Sequence, residues 1–308
     1  MKSFTLLFLS ALLFLSVSCN DYLLDSCLNT TIYFSLKDKA NNDVFGAVTD
    51  HVALFIYDKD GRMAARVQVP KSELALFAGK RLRLNPGQYT IVAWANPTDS
   101  RSAFVVNEHG YYLNREANYL LNAVPANGII PNGDPLFYAP QNYGTPLRVT
   151  VPEVGKGEVT AEFRNAHVRL DISVQGYETS ASGSAADPLK IEITDLTSRY
   201  DFGMDPHGTK VDYTGSAPFN HAQKLFVTSF NIPVFDKSAT TQIRVTNKAG
   251  QLIVPPISLV GLLGNKIVPQ ELWHLPIEIV FTDHDGVLSV AVKVALPEWE
   301  EGGVVPNI

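Results

Sequence analysis

The sequence is poor in cysteine, in charge and in the motifs that carry catalysis. It has two cysteines, Cys19 and Cys27, too few for a disulfide framework and without CxxC spacing. Charged residues make up 18% and the net charge is −6, with no basic run, so no nucleic-acid partner is expected. Gly-x-Ser-x-Gly, His-Glu-x-x-His and glycine-rich phosphate loops are absent. Nothing here supports an enzyme, a non-covalent cofactor or a small-molecule substrate.

The first 18 residues have the pattern of a signal peptide. Lys2 supplies the positive start, an apolar run covers Phe4 to Leu15, and small residues precede Cys19. The run is shorter than the about 20 residues that a membrane span needs. Residues 15–19 resemble a lipobox, so we predict that Cys19 carries a covalent lipid and begins the mature chain. The alternative is ordinary secretion, in which Cys19 carries no lipid and has no special role.

Period-two alternation of apolar residues dominates the mature chain. Three segments join two alternating runs through a turn rich in Asp, Asn or Gly, and each predicts a hairpin: 52–69, 243–254 and 277–296. A further strand is predicted at Tyr89–Trp94. Helix signals are confined to Lys71–Ala78 and Arg115–Val124. The pattern predicts an all-β protein built from antiparallel β-sandwich domains.

The mature length indicates two domains, because a single small sandwich needs fewer residues. Gly155 and Gly157 interrupt two strand-like runs and mark the predicted boundary. The expected organisation is a signal peptide at 1–18, a lipidated tether at 19–27, an N-terminal β-sandwich domain at 28–154 and a C-terminal β-sandwich domain at 155–308.

Several residues suggest a metal or catalytic site, but a structural role is the better interpretation of each. Asp58–Gly61 and Asp283–Gly286 match the start of a calcium loop, but the twelfth position is valine in both, so hairpin turns are predicted. The seven histidines lack ligand spacing, and no metal site is predicted. Glu298, Glu300 and Glu301 are interpreted as a solvated tail rather than a glycosidase pair.

The tryptophans suggest both core and surface roles. Trp94 lies in an alternating strand and is predicted in the core. Trp273 and Trp299, together with the tyrosines, could instead stack on sugar rings.

The last predicted strand, Val287 to Leu296, has an unbroken apolar face, while Ser289 and Lys293 mark a solvated one. Such a strand near a chain end can be exchanged between subunits without threading a loop. We therefore predict a subunit-joining strand, against the alternative of an ordinary core strand. Its apolar residues are Leu288, Val290, Val292, Val294 and Leu296.

Several segments of the mature chain follow one another in a distinctive order. They are the lipobox, the acidic tether 21–27, the runs 52–61, 84–96, 134–138 and 163–170, and the ending around Trp299. In this order they resemble the FimB/Mfa2 family of Bacteroidales fimbrial anchor subunits. The resemblance covers nearly the whole mature chain.

The resemblance implies two transthyretin-like β-sandwiches at the base of a short fimbria. It implies attachment to the outer membrane through the lipid on Cys19, and fimbrial shaft subunits as partners joined by strand exchange. It also implies that an anchor escapes the arginine-specific trimming of polymerising subunits, and no arginine occurs between Cys19 and Gly61. Two alternatives stay open: a glycan-binding surface lipoprotein of a polysaccharide-uptake system, and a tip adhesin or regulatory fimbrial subunit of the same fold.

Overall fold

A computed structural model describes residues 28–38, 40–107, 109, 114, 116–125, 130–139, 147–180, 183–235, 239–264, 274–284 and 287–294. Over these residues the chain forms twenty strands and a few short helices. The strands are β1 Thr30–Ser35, β2 His51–Asp58, β3 Met63–Pro70, β4 Gly79–Leu82, β5 Gly87–Ala95, β6 Ala103–Val105, β7 Tyr119–Leu121, β8 Phe137–Ala139, β9 Leu147–Val151, β10 Gly157–Glu162, β11 Arg164–Asn165, β12 His167–Gln175, β13 Leu189–Asp201, β14 Pro206–Ala217, β15 Phe219–Asn220, β16 Leu225–Pro233, β17 Gln242–Thr246, β18 Ile257–Ser258, β19 His274–His284 and β20 Val287–Val294. The helices are α1 Phe45–Val48, α2 Lys71–Leu76 and α3 Leu259–Leu263, with a 3-10 turn at Tyr177–Thr179.

The first sandwich packs a three-stranded sheet, β10-β1-β4, against a larger sheet, β11-β8-β5-β2-β3, in which β9 also pairs with β5. β1 occupies the centre of the small sheet, parallel to β10 and antiparallel to β4. Its alternate residues Ile32 and Phe34 point into a core shared with Val52, Leu54 and Ile56 of β2. Burial of these side chains holds the two sheets together.

The second sandwich packs the sheet β15-β16-β12-β19-β20 against the sheet β18-β17-β13-β7-β6, in which β14 also pairs with β13. β12 and β19 run parallel, as β1 and β10 do in the first sandwich. Parallel neighbours need a long crossover. Here the intervening strands supply it, so the sandwiches are mainly but not wholly antiparallel.

Strands β2 and β5 are buried on both faces and contribute side chains to the cores of both sandwiches. One face belongs to the first sandwich, and the opposite face carries Phe55 and Trp94 into the core of the second. The Phe55 ring lies 4.8 Å from Phe202, and the Trp94 ring lies 6.0 Å from Tyr200. Trp94 is fully buried, as predicted.

Two of the three predicted hairpins are confirmed over their described residues. β2 and β3 pair around the turn at Asp58, whose Oδ1 accepts hydrogen bonds from the amides of Asp60 and Arg62, both at 2.9 Å. β19 and β20 pair from Ile277 with Val294 to His284 with Val287.

The hairpin predicted at 243–254 is only partly formed. Asn247 makes the turn, but the returning chain contributes a single bridge at Leu252 before β18 pairs with β17. Pro255 and Pro256 explain the interruption, because proline cannot donate to a ladder.

One of the two helix predictions is confirmed and the other is wrong. Lys71–Ala78 forms α2, which ends at Leu76. The prediction at Arg115–Val124 is wrong, because residues 119–121 form β7 and pair with β13. Asn114 Oδ1 accepts a hydrogen bond from the Glu116 amide, one of the local bonds with which asparagine competes against helix formation.

The strand pairing crosses the predicted domain boundary. β10 and β11, which lie beyond residue 154, pair with β1 and β8 of the first sandwich. β6 and β7, which lie before it, belong to the second sandwich. Sheet membership changes from the first sandwich to the second between Asn165 and His167.

Candidate strand-exchange edge

β20 is an edge strand of the second sandwich. It pairs with β19 on one side, and no described strand pairs with its other side. An edge strand presents unpaired backbone N–H and C=O groups, which another chain can join.

The inner face of β20 covers the core. Val290, Val292 and Val294 stand opposite Phe281, Ile279 and Ile277, and Val292 is 4% exposed. Val290 and Val294 are half-buried against the same core. The structure thus places three of the five predicted residues on one apolar face, while the side chain of Leu288 and residue Leu296 lie outside the described part.

The outer face of β20 is polar at Ser289 and Lys293. Ser289 and Lys293 are exposed, and Lys293 stands opposite the exposed Glu278. Ser289 Oγ donates a hydrogen bond to the Thr282 carbonyl at 3.2 Å. A lysine on an edge strand discourages unspecific pairing with other edges.

A polar cluster around Asp171 braces the parallel strands next to β20. The Asp171 carboxylate accepts from Ser229 Oγ at 2.5 Å and from Arg169 Nε at 3.1 Å, and it lies 2.6 Å from His274 Nε2. Partial burial opposes ionisation, but the hydrogen bonds from Ser229, Arg169 and His274 outweigh it and hold the pKa of Asp171 below its usual range. Because Arg169 and His274 stand opposite each other, the cluster ties β12 to β19.

Sequence reasoning missed this cluster. The alternation of Arg169, Asp171 and Ser173 marks a solvated face of β12. Ser229 and His274 come from distant segments, so their convergence is a property of the fold.

β1 differs from β20 in having both sides paired. It lies between β4 and β10, and Ile32 and Phe34 are at most 3% exposed. Neither backbone edge of β1 is open to strand addition in this structure.

The other predicted positions fall in core, turn or undescribed regions. Cys19, Cys27, Trp273, Trp299 and the acidic residues 298, 300 and 301 lie outside the described residues. Among described side chains, no three or more His, Cys, Asp or Glu residues gather as metal ligands would. Within the same part of the chain, no helix is long and apolar enough to cross a membrane.

A family model described as fimbrillin-A associated anchor proteins Mfa1 and Mfa2 matches residues 24–302. No curated protein matches the chain in sequence.

Solved structures share the fold at low sequence identity. The fimbrial anchor protein Mfa2 from Porphyromonas gingivalis is 17% identical, with a TM-score of 0.61 and coverage of 91% of this chain and 99% of that one. A candidate polysaccharide-binding protein from Bacteroides thetaiotaomicron is 17% identical, with a TM-score of 0.65 and coverage of 89% and 100%. A candidate adhesin from Bacteroides ovatus is 13% identical, with a TM-score of 0.66 and coverage of 89% and 96%.

Proposed function

Because the chain belongs to the family of fimbrillin-A associated anchor proteins Mfa1 and Mfa2, we propose that it anchors a short fimbria to the outer membrane. The lipid on Cys19 holds the chain in the membrane, and strand exchange joins it to the shaft subunits. The family consists of fimbrial anchor proteins, so the role proposed is binding, without a catalytic step.

The placement of β20 carries this proposal. It is an edge strand with an apolar inner face, held by one neighbour, and it is the last strand described. A donated strand satisfies the open backbone groups of its acceptor, and its alternating side chains fill the acceptor's pockets. Val290, Val292 and Val294 supply such a series. We propose that β20 is donated.

A cross-strand disulfide tests donation of β20. Glu278 and Lys293 are exposed and directly opposite each other on β19 and β20. Facing positions of an antiparallel pair have Cβ atoms about 4.5–5.5 Å apart, close to what a disulfide needs. Glu278→Cys with Lys293→Cys, in a Cys27→Ser background, would fasten β20 in its own sheet without touching the core.

The oxidised variant should fold normally but should no longer co-purify with shaft subunits. Reduction of the disulfide before assembly should restore co-purification. A matched control is Lys190→Cys with Ser216→Cys, an exposed facing pair on β13 and β14. The control should assemble in both redox states. Normal assembly by the oxidised β19–β20 variant would contradict donation of β20.

A further inference from the structure

A gap in one sheet of the second sandwich forms a pocket. β17 pairs with β13 as far as Thr194, and β7 pairs with the same strand from Arg199 onward. Between them, β13 carries irregularities that bend the chain away from regular pairing. The opening has a volume of about 380 Å³, within the range of about 300–1,000 Å³ found for small-molecule sites.

One wall of the pocket carries the carboxylate of Asp195, whose position is fixed by hydrogen bonds. Asp195 has a φ of 67°, an uncommon backbone conformation for a residue other than glycine. Its amide donates to Asp212 Oδ1 at 3.0 Å, and its Oδ2 accepts from the Thr240 hydroxyl. Its Oδ1 accepts no hydrogen bond from a described residue and can receive one from a ligand.

The remaining polar groups complement this carboxylate. Lys210 is exposed, stands opposite Thr197 and makes no ion pair with a described residue. Thr241 also lines the pocket; it is 1% exposed, and its Oγ1 has no hydrogen-bond partner among the described residues. A buried hydroxyl without a partner is unfavourable.

The chemistry of this lining favours a ligand with many hydroxyl groups. Asp195 and Asp205 place two carboxylates at the opening, which repel an anion, and the Lys210 ammonium opposes a cation. A neutral ligand with several hydroxyl groups can donate to the carboxylate and accept from the ammonium. Met204 and Phe235 also line the pocket and offer apolar surface to C–H groups. We propose that this pocket binds a neutral sugar ring.

The proposal is tested on the full mature chain in a detergent without a sugar headgroup. Saturation-transfer NMR with galactose, mannose, fucose or N-acetylglucosamine, one at a time, should detect at least one with a dissociation constant on the order of 1 mM. Acetate and methylammonium serve as charged probes and should not bind.

Three variants distinguish the pocket from the rest of the surface. Asp195→Asn should weaken binding about tenfold, because Asn tolerates positive φ but lacks the charge. Ala239→Trp should fill the pocket and abolish binding, whereas Lys156→Ala on the distant β9–β10 loop should leave binding unchanged. Near-ultraviolet circular dichroism monitors folding.

The sugar proposal is overturned if none of the four sugars binds, if binding survives both pocket variants, or if a charged probe binds instead. Co-purification of the same variants with shaft subunits should be normal, because the pocket does not involve β20. The anchoring role is therefore tested separately.

Discussion

His167 lies where the chain passes from the first sandwich to the second, and its imidazole is buried there. Its Nδ1 donates to the Leu136 carbonyl at 2.8 Å, and the ring meets Phe137 edge-on at 5.3 Å. Burial lowers the pKa of His167 to about 4, because a buried cation loses its hydration, although the bond to Leu136 acts in the opposite direction.

The depressed pKa predicts acid sensitivity of the fold. An unfolded histidine takes up its proton near pH 6.5, whereas the folded one resists protonation down to about pH 4. His167 should therefore contribute no penalty above pH 6.5 and should destabilise the fold progressively as the pH falls toward 4, by about 3 kcal/mol in all.

Denaturant unfolding between pH 7.5 and 4 measures this effect. His167→Asn keeps a neutral donor and should show a shallower loss of unfolding free energy over that interval, even if it is less stable at pH 7.5. His221→Asn, at an exposed site, serves as a control. Parallel curves for His167→Asn and the unaltered protein would contradict the prediction.

Cys19 should carry the membrane attachment. Because the lipid is the proposed anchor, Cys19→Ala should release the protein into the soluble fraction and abolish incorporation of labelled palmitate. Cys27→Ser, a second thiol eight residues along, is the matched control and should stay with the membrane. If the Cys19→Ala protein still fractionates with the membrane and still incorporates labelled palmitate, lipidation at Cys19 is refuted.

At the level of the strand, Val292 distinguishes the packed face of β20 from its open edge. Val292 is 4% exposed opposite Ile279, so Val292→Asp places a carboxylate in the core without a partner. We expect a loss of about 3–5 kcal/mol in unfolding free energy by chemical denaturation. Lys293→Gln on the solvated face should change stability by less than about 0.5 kcal/mol. Equal stabilities of the two variants would show that β20 does not pack as described.

The β2–β3 and β19–β20 hairpins could be predicted because their determinants are local. In each, alternating residues flank a short turn, as around Asp58. The pairing of β1 with β10 joins residues more than 120 positions apart in the chain, and nothing near Thr30 signals Gly157 as its partner. For the same reason the local pattern predicts a helix where β7 forms, since β13, a distant segment, supplies the partner of β7.

The candidate site could be predicted only as an apolar face. The period-two alternation predicts that Val290, Val292 and Val294 lie on one face of the strand, as they do in the structure. The open edge of β20 depends on the order of strands in the sheet, which the sequence pattern does not encode. The bracing of β12 and β19 by Asp171 likewise depends on residues that meet only after folding.

For the molecule as a whole, the position of Arg62 limits which mature chains can fold. β1 and β2 both precede Arg62, and they supply fully buried residues such as Ile32, Val52 and Leu54. Cleavage at Arg62 would remove a central strand from each sheet of the first sandwich. We expect the mature protein to begin before Leu28, and intact-mass measurement of protein from cells checks this. A mature chain that begins at Arg62 or later would contradict both the prediction and the strand order.

The shared strands β2 and β5 should also make the two sandwiches unfold together. Phe202 of the second sandwich is 2% exposed, its ring contacts Phe55, and its carbonyl accepts from the Tyr138 hydroxyl at 2.7 Å. Phe202→Ala leaves a cavity on β2, a strand that both sandwiches need, and should lower stability by about 3–5 kcal/mol.

The two sandwiches cannot separate without exposing the side chains of β2 and β5 that face the second core. Calorimetry of the unaltered protein should therefore show a single unfolding transition. Hydrogen exchange in Phe202→Ala should accelerate in both β2 and β13, where separate domains would confine the change to β13. Leu76→Ala, at a side chain 90% exposed on α2, should leave exchange in both strands unchanged. Two calorimetric transitions in the unaltered protein, or acceleration of exchange in β13 alone, would show that β2 and β5 do not couple the sandwiches.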